Sequence, residues 1–111
     1  MATAIASEAT RLGEVGLTDS DLSRATGAAT STARAWLGGR GGPTGQRAER
    51  LIELAALVER LERVIEPDYI PIWLRKPVPM LDEDKPLDVI GRGDYRTVAR
   101  LISELEGTIA S

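Results

Sequence analysis

IPIWLRKPVPMLDEDKPLDVIGRGDYRTV, residues 70–98, is a series of starts and stops. It holds Trp73 and four of the chain's six prolines, so no long helix runs through it. Ile70 to Leu74 reads as a short apolar turn. Pro77-Val78-Pro79 reads as an extended arm, because proline blocks helix and pushes the residue before it away from helical angles. Pro86 opens a short helix with Leu87, Val89 and Ile90, since the first helical position needs no amide donor. Gly91 and Gly93 end that helix, because glycine accepts the left-handed conformation of a helix cap. Asp94 can then accept orphan amides and start the last helix. This is a chain of small helical pieces, and none of its residue groupings is catalytic.

Longer helices flank the stretch. Ala2 to Val15 carries Ile5, Ala9 and Leu12 on one face, and Gly16 ends it. Gln46 to Ile65 is the longest helical pattern. Leu51, Ala55, Val58, Leu61 and Ile65 form one stripe, and Leu54, Leu57 and Val64 widen it. An apolar arc that wide predicts burial on two sides, as a spine joining both halves or as part of a homodimer seam. Pro67 stops this helix, and Asp68 is expected to cap the turn Tyr69–Leu74. Asp94 to Leu105 carries Tyr95, Val98, Leu101, Ile102 and Leu105 at helical spacing. Gly107 is expected to break that helix and leave a frayed tail through Ser111. The fold class is therefore all-α.

Composition removes several function classes. The 111 residues contain no cysteine and no histidine, which excludes disulfides, thiol nucleophiles, histidine triads and zinc sites with the usual ligands. No apolar run reaches the length of a membrane span, and a cytoplasmic protein is expected. The Asp82-Glu83-Asp84 cluster lacks calcium-loop spacing and reads as a solvated turn. No catalytic residue, metal or cofactor is expected. The net charge is −3, yet Arg24 to Arg50 contains five arginines against one glutamate. A local basic patch on an acidic chain suits a modest phosphate contact.

That patch overlaps LTDSDLSRATGAATSTARAWL, residues 17–37. Thr18 or Asp19 can cap a helix carrying Leu22 and Ala25. Gly27 supplies the left-handed turn, and Thr30 can cap a second helix whose inner face is Ala33, Trp36 and Leu37. This resembles the Xre/Cro type of helix-turn-helix, with Ser23 where an alanine is usual. A second helix used on DNA enters the major groove by its N-terminal end. Thr30, Ser31 and Thr32 would hold phosphates and Arg34 would read guanine. Arg40, in the glycine-rich connection Gly38–Gly45, and Arg47 would add phosphate contacts.

A wider resemblance follows. Trp73-Leu74, the proline-bearing turn with Met80-Leu81, then Lys85-Pro86-Leu87-Asp88, then Gly93-x-Tyr95-x-x-Val98, is similar to the toxin-binding domain of Xre/MbcA/ParS-type antitoxins. The resemblance covers most of the chain, because a helix-turn-helix precedes this domain in the family. It implies a DNA-binding or dimerising region over residues 1–50 and a small helical toxin-binding domain over 51–111. The partner it implies is a cognate RES-domain toxin that uses NAD. Trp73, Leu74, Pro77, Val78, Met80 and Leu81, with Tyr95, are the candidates for toxin contact, and some of them must be core. The resemblance also implies that Glu106, Gly107, Thr108, Ile109, Ala110 and Ser111 reach into the toxin's NAD pocket. Operator DNA and a homodimer or toxin–antitoxin hetero-oligomer complete the expectation. The alternative is a stand-alone transcriptional regulator whose C-terminal half dimerises.

Overall fold

The computed structural model describes the backbone of residues 2–110 and the side chains of residues 7–108. All regular elements among these residues are helical: α1 Ala2–Val15, α2 Asp19–Thr26, α3 Thr30–Leu37, α4 Gly45–Leu61, α5 Ile70–Arg75, α6 Pro86–Gly91 and α7 Tyr95–Ala110. Two single 3-10 turns, Pro67–Tyr69 and Pro79–Leu81, punctuate the stretch between α4 and α6.

The spine expectation for α4 holds. It packs on α1, α2, α6 and α7, and Leu51, Leu54, Leu57, Val58 and Leu61 are wholly buried. Removing that much apolar side chain from water is the main stabilising term, worth about 1.5–3 kcal/mol for each fully buried aliphatic residue. One continuous core contains Ala9 and Leu12 of α1, Leu22 and Ala25 of α2, Trp36 of α3, Leu74 of α5, Ile90 of α6 and Ile102 of α7. The core therefore runs without interruption across residue 50.

Two ends behave as their sequences dictate. Thr18 caps α2 in a reciprocal box: its hydroxyl accepts from the Asp21 amide at 3.3 Å, and Asp21 accepts from the Thr18 amide at 2.8 Å. Asp94 accepts from the Thr97 amide and hydroxyl, which draws its carboxyl below the usual carboxylate range.

Other ends differ from expectation. The cap of α3 is Ala29, not Thr30. The hydroxyl of Ser23 donates to the Ala28 carbonyl, while that of Thr26 donates to Leu22 and accepts from the Ala28 amide. These bonds stitch the turn at Gly27 and leave Thr30 already helical. Helix α4 stops at Leu61, four residues before Ile65. The chain then tightens, with the Val64 and Ile65 amides both donating to the Leu61 carbonyl, which tucks these two side chains against the core. Asp68 caps nothing, because it lies inside the 3-10 turn and Tyr69 holds the cap position of α5.

The largest correction is at Gly107. Helix α7 passes through it to Ala110. A glycine weakens a helix by about 1 kcal/mol but does not end one unless the backbone turns left-handed. The preceding turn is held by Arg60, and extending a formed helix costs little.

Candidate functional site

Surface chemistry was expected in two places. The first is α2–α3. Ser31 and Arg34 are exposed, Thr30 is exposed at the helix start, and Thr32 and Ala35 are half-buried. Arg34 is engaged: its guanidinium donates to Asp19 at 2.9 Å and 2.8 Å. Arg24 donates twice to Asp88 of α6, at 2.9 Å and 3.0 Å, and Arg50 pairs with Glu53. Three of the five arginines of the basic stretch are thus neutralised within the chain. Arg40 and Arg47 are exposed and make no ion pair among the described residues.

The second place is the C-terminal half, and burial sorts its candidates. Leu74 is fully buried and Leu81 is 6% exposed, so both are core. Trp73 and Tyr95 are half-buried and pack against that core. Met80, 66% exposed, is the large apolar side chain among them most open to a partner. Met80 stands out because Pro79 starts a 3-10 turn that buries Leu81. Asp82 and Glu83 then reverse the chain with positive φ angles of 57° and 67°, returning Asp84 to pair with Val78.

At the chain end, Glu106 is held by Arg60 of α4. The guanidinium donates to its two oxygens at 2.6 Å and 3.2 Å and to Ser103 Oγ at 2.9 Å. Arg60 keeps the Glu106 carboxyl below its ordinary range, and Glu106 raises the guanidinium in turn. Gly107 and Thr108 are exposed. Ser111 and the side chains of Ile109 and Ala110 lie outside the described residues.

Sequence reasoning missed the ties between the two halves. Arg75 of α5 grips Asp21 of α2 through two bonds, at 2.9 Å and 2.5 Å, and also reaches the Gly16 carbonyl. Burial pushes the Asp21 carboxyl up, but Arg75 and the Thr18 amide outweigh it and hold the group below its usual range. Gly91 of α6 lies so close to the Arg24 carbonyl that a Cβ there would collide with it. Also missed were the exposed apolar residues Ile52, Tyr69 and Ile72. For Ile72 the signal was helical phase: Ile70 and Leu74 share the buried side of α5, so Ile72 must face out.

No family model matches the chain. It is 30% identical over 91 residues to the mycobacterial cidal antitoxin MbcA of Mycobacterium tuberculosis and of Mycobacterium bovis, a match spanning 82% of this chain and 80% of each relative. The crystal structure of the M. tuberculosis MbcT–MbcA toxin–antitoxin complex matches with a TM-score of 0.77 at 30% identity, over 92% of this chain and 94% of that one.

Proposed function

This chain belongs to the MbcA family of antitoxins, and from that premise we propose that it binds and neutralises a cognate toxin, without catalysing a reaction itself. The observation that carries the reading is the match in sequence and in shape over nearly the whole chain to a protein solved in complex with its toxin.

The finer reading assigns parts. Residues 51–111 bind a RES-type, NAD-using toxin, and Met80 with the half-buried Trp73 and Tyr95 contributes to the contact. The end of the chain blocks the toxin's NAD pocket. Helix α7 supports this, because its last turn carries exposed Gly107 and Thr108 past Glu106, which Arg60 ties to α4. The turn is thus presented as the tip of a helix rather than as a frayed tail. Glu106 is already committed to Arg60, so the blocking group is the segment beyond it.

Residues 1–50 bind operator DNA through the N-terminal end of α3, as a dimer or within a toxin–antitoxin hetero-oligomer. Ser31 and Thr30 support this by exposure, and Arg40 and Arg47 by charge that makes no ion pair among the described residues. Arg34 must leave Asp19 before it can read a base, so readout from one copy is weak.

The test is a growth assay in which a RES-type toxin encoded beside this chain is co-expressed with the full chain or with a chain stopped after Gly107. Rescue by the full chain alone is expected. Rescue by both moves inhibition away from the tip. Rescue by neither, with both chains soluble, sinks the antitoxin reading and favours the stand-alone regulator.

A further inference from the structure

Helices α4 and α7 run in the same direction. Arg50 lies beside Gly93 near the start of α7, and Arg60 beside Ser103 and Glu106 near its end. Both helices therefore point their C-terminal, partially negative ends at one end of the molecule. Where α4 runs out, residues 62–72 fold into an open groove of about 780 Å³. Val64, Ile65, Tyr69 and Ile72 give it an apolar lining, and Ile72 is 50% and Tyr69 40% exposed. Glu66 and Asp68 stand at its edge without an ion-pair partner among the described residues. Arg60, which grips Glu106 of α7, lies two residues before Glu62, the first residue of the groove, so the groove adjoins the last turns of α7.

We infer that this groove is the main docking seat for the toxin, taking an apolar side chain between Tyr69 and Ile72 flanked by a lysine or arginine that meets Glu66 and Asp68. The inference rests on the antitoxin reading above and relocates its affinity. Two of the four exposed large apolar residues among the described ones line this open groove. Aromatic and aliphatic anchors of this kind carry most of the energy of an interface. Unpaired carboxylates and two helix C-termini select a cationic partner surface and speed its approach. The groove supplies binding, and the adjoining tip of α7 supplies inhibition.

The experiment measures binding of the purified adjacent toxin to the full chain by calorimetry, with melting curves and sedimentation for every variant. Ile72→Asp and Tyr69→Asp are expected to weaken binding by about 30-fold or more, the scale of a hot-spot loss, while melting normally. Ile52→Asp introduces the same change at another half-exposed residue, three turns away on α4, and is expected to stay within about twofold. The double variant Glu66→Lys, Asp68→Lys is expected to weaken binding by about tenfold at low salt and much less at high salt. Wild-type binding that survives Ile72→Asp and Tyr69→Asp unchanged overturns the inference. So does an equal loss from Ile52→Asp, or a loss of self-association in place of toxin affinity, which assigns the groove to a second copy. A wild-type chain that does not bind the toxin sinks the antitoxin reading itself, a result distinct from these.

Discussion

Gly91→Ala probes the joint between the two halves of the chain. Alanine is the better helix former by up to about 1 kcal/mol, so propensity alone predicts a more stable protein. The structure predicts the reverse. A Cβ on Gly91 would come closer to the Arg24 carbonyl oxygen than the 3.0 Å that real Cβ atoms keep, with the Arg24 carbonyl carbon at 3.4 Å and the Ala25 Cα at 3.8 Å behind it. The obstacle is backbone, so no rotamer change relieves it. Helix α6 must retreat from α2 by roughly 1 Å, opening the contact that buries Leu22, Ala25 and Ile90. Overpacking of this kind costs about 1–3 kcal/mol, so a net loss of about 1 kcal/mol is expected after the helix gain. In a domain of this size that lowers Tm by about 4 °C. Gly107→Ala is the matched control. Nothing lies within 4 Å of a Cβ there, and α7 is helical at that point. It should raise stability by about 0.5 kcal/mol, the helix gain reduced by proximity to the chain end. Thermal and urea melts followed by far-UV circular dichroism read both variants. A Gly91→Ala protein that melts at or above the wild type refutes the close-approach argument.

Arg75→Ala strands the buried Asp21 carboxylate and should cost about 2 kcal/mol, less than a fully buried pair because Arg75 is part exposed; urea denaturation measures it. Asp21 has a depressed pKa in the folded protein, so its contribution is complete above the ordinary carboxylate range and fades as pH falls through the lowered value. The stability difference between wild type and Asp21→Asn should accordingly be flat at neutral pH and shrink in acid, and a difference that grows in acid contradicts the assignment. On DNA, Arg34→Ala should weaken operator binding by about tenfold in a mobility-shift titration, and Asp19→Asn, which releases Arg34, should strengthen it. Equal binding by all three proteins would show that Arg34 reads no base.

Much of the fold was legible because it follows from local rules. The helical phase of Leu51, Ala55, Val58 and Leu61 identified the spine, and all four are buried. Gly16, Gly27 and Gly93 were assigned to helix ends or turns, and each has a positive φ, at 110°, 84° and 90°, whereas Gly91, given the same role, lies within α6 without one. Gly107 shows the limit of that rule. A glycine permits a helix to end but does not require it, and α7 continues through Gly107 with the residue before it, Glu106, tied to Arg60, 46 residues from Glu106 in the chain. The surface was harder to read. Trp73, Leu74, Met80 and Leu81 look alike as apolar letters, yet Leu74 and Leu81 are core and Met80 is open to solvent. Charge was misleading for a similar reason: a run of five arginines appears basic until Asp19, Asp88 and Glu53 arrive from elsewhere in the fold or the next helical turn to neutralise three of them.

The sequence by itself determined that this protein is all-helical, where most of its helices start and stop, and which family it resembles. The first two depend on backbone preferences and on apolar periodicity, which act over a few residues, and the resemblance rests on the particular residues from Trp73 to Val98. Only the tertiary structure decided that the two halves share one core, that Arg75 and Gly91 lock α2 to the C-terminal half, and that an acidic groove adjoins the last turns of α7. Those features arise where residues far apart in the chain are brought within a few ångströms, and a contact that short is set by how the helices pack rather than by any stretch of sequence that forms them.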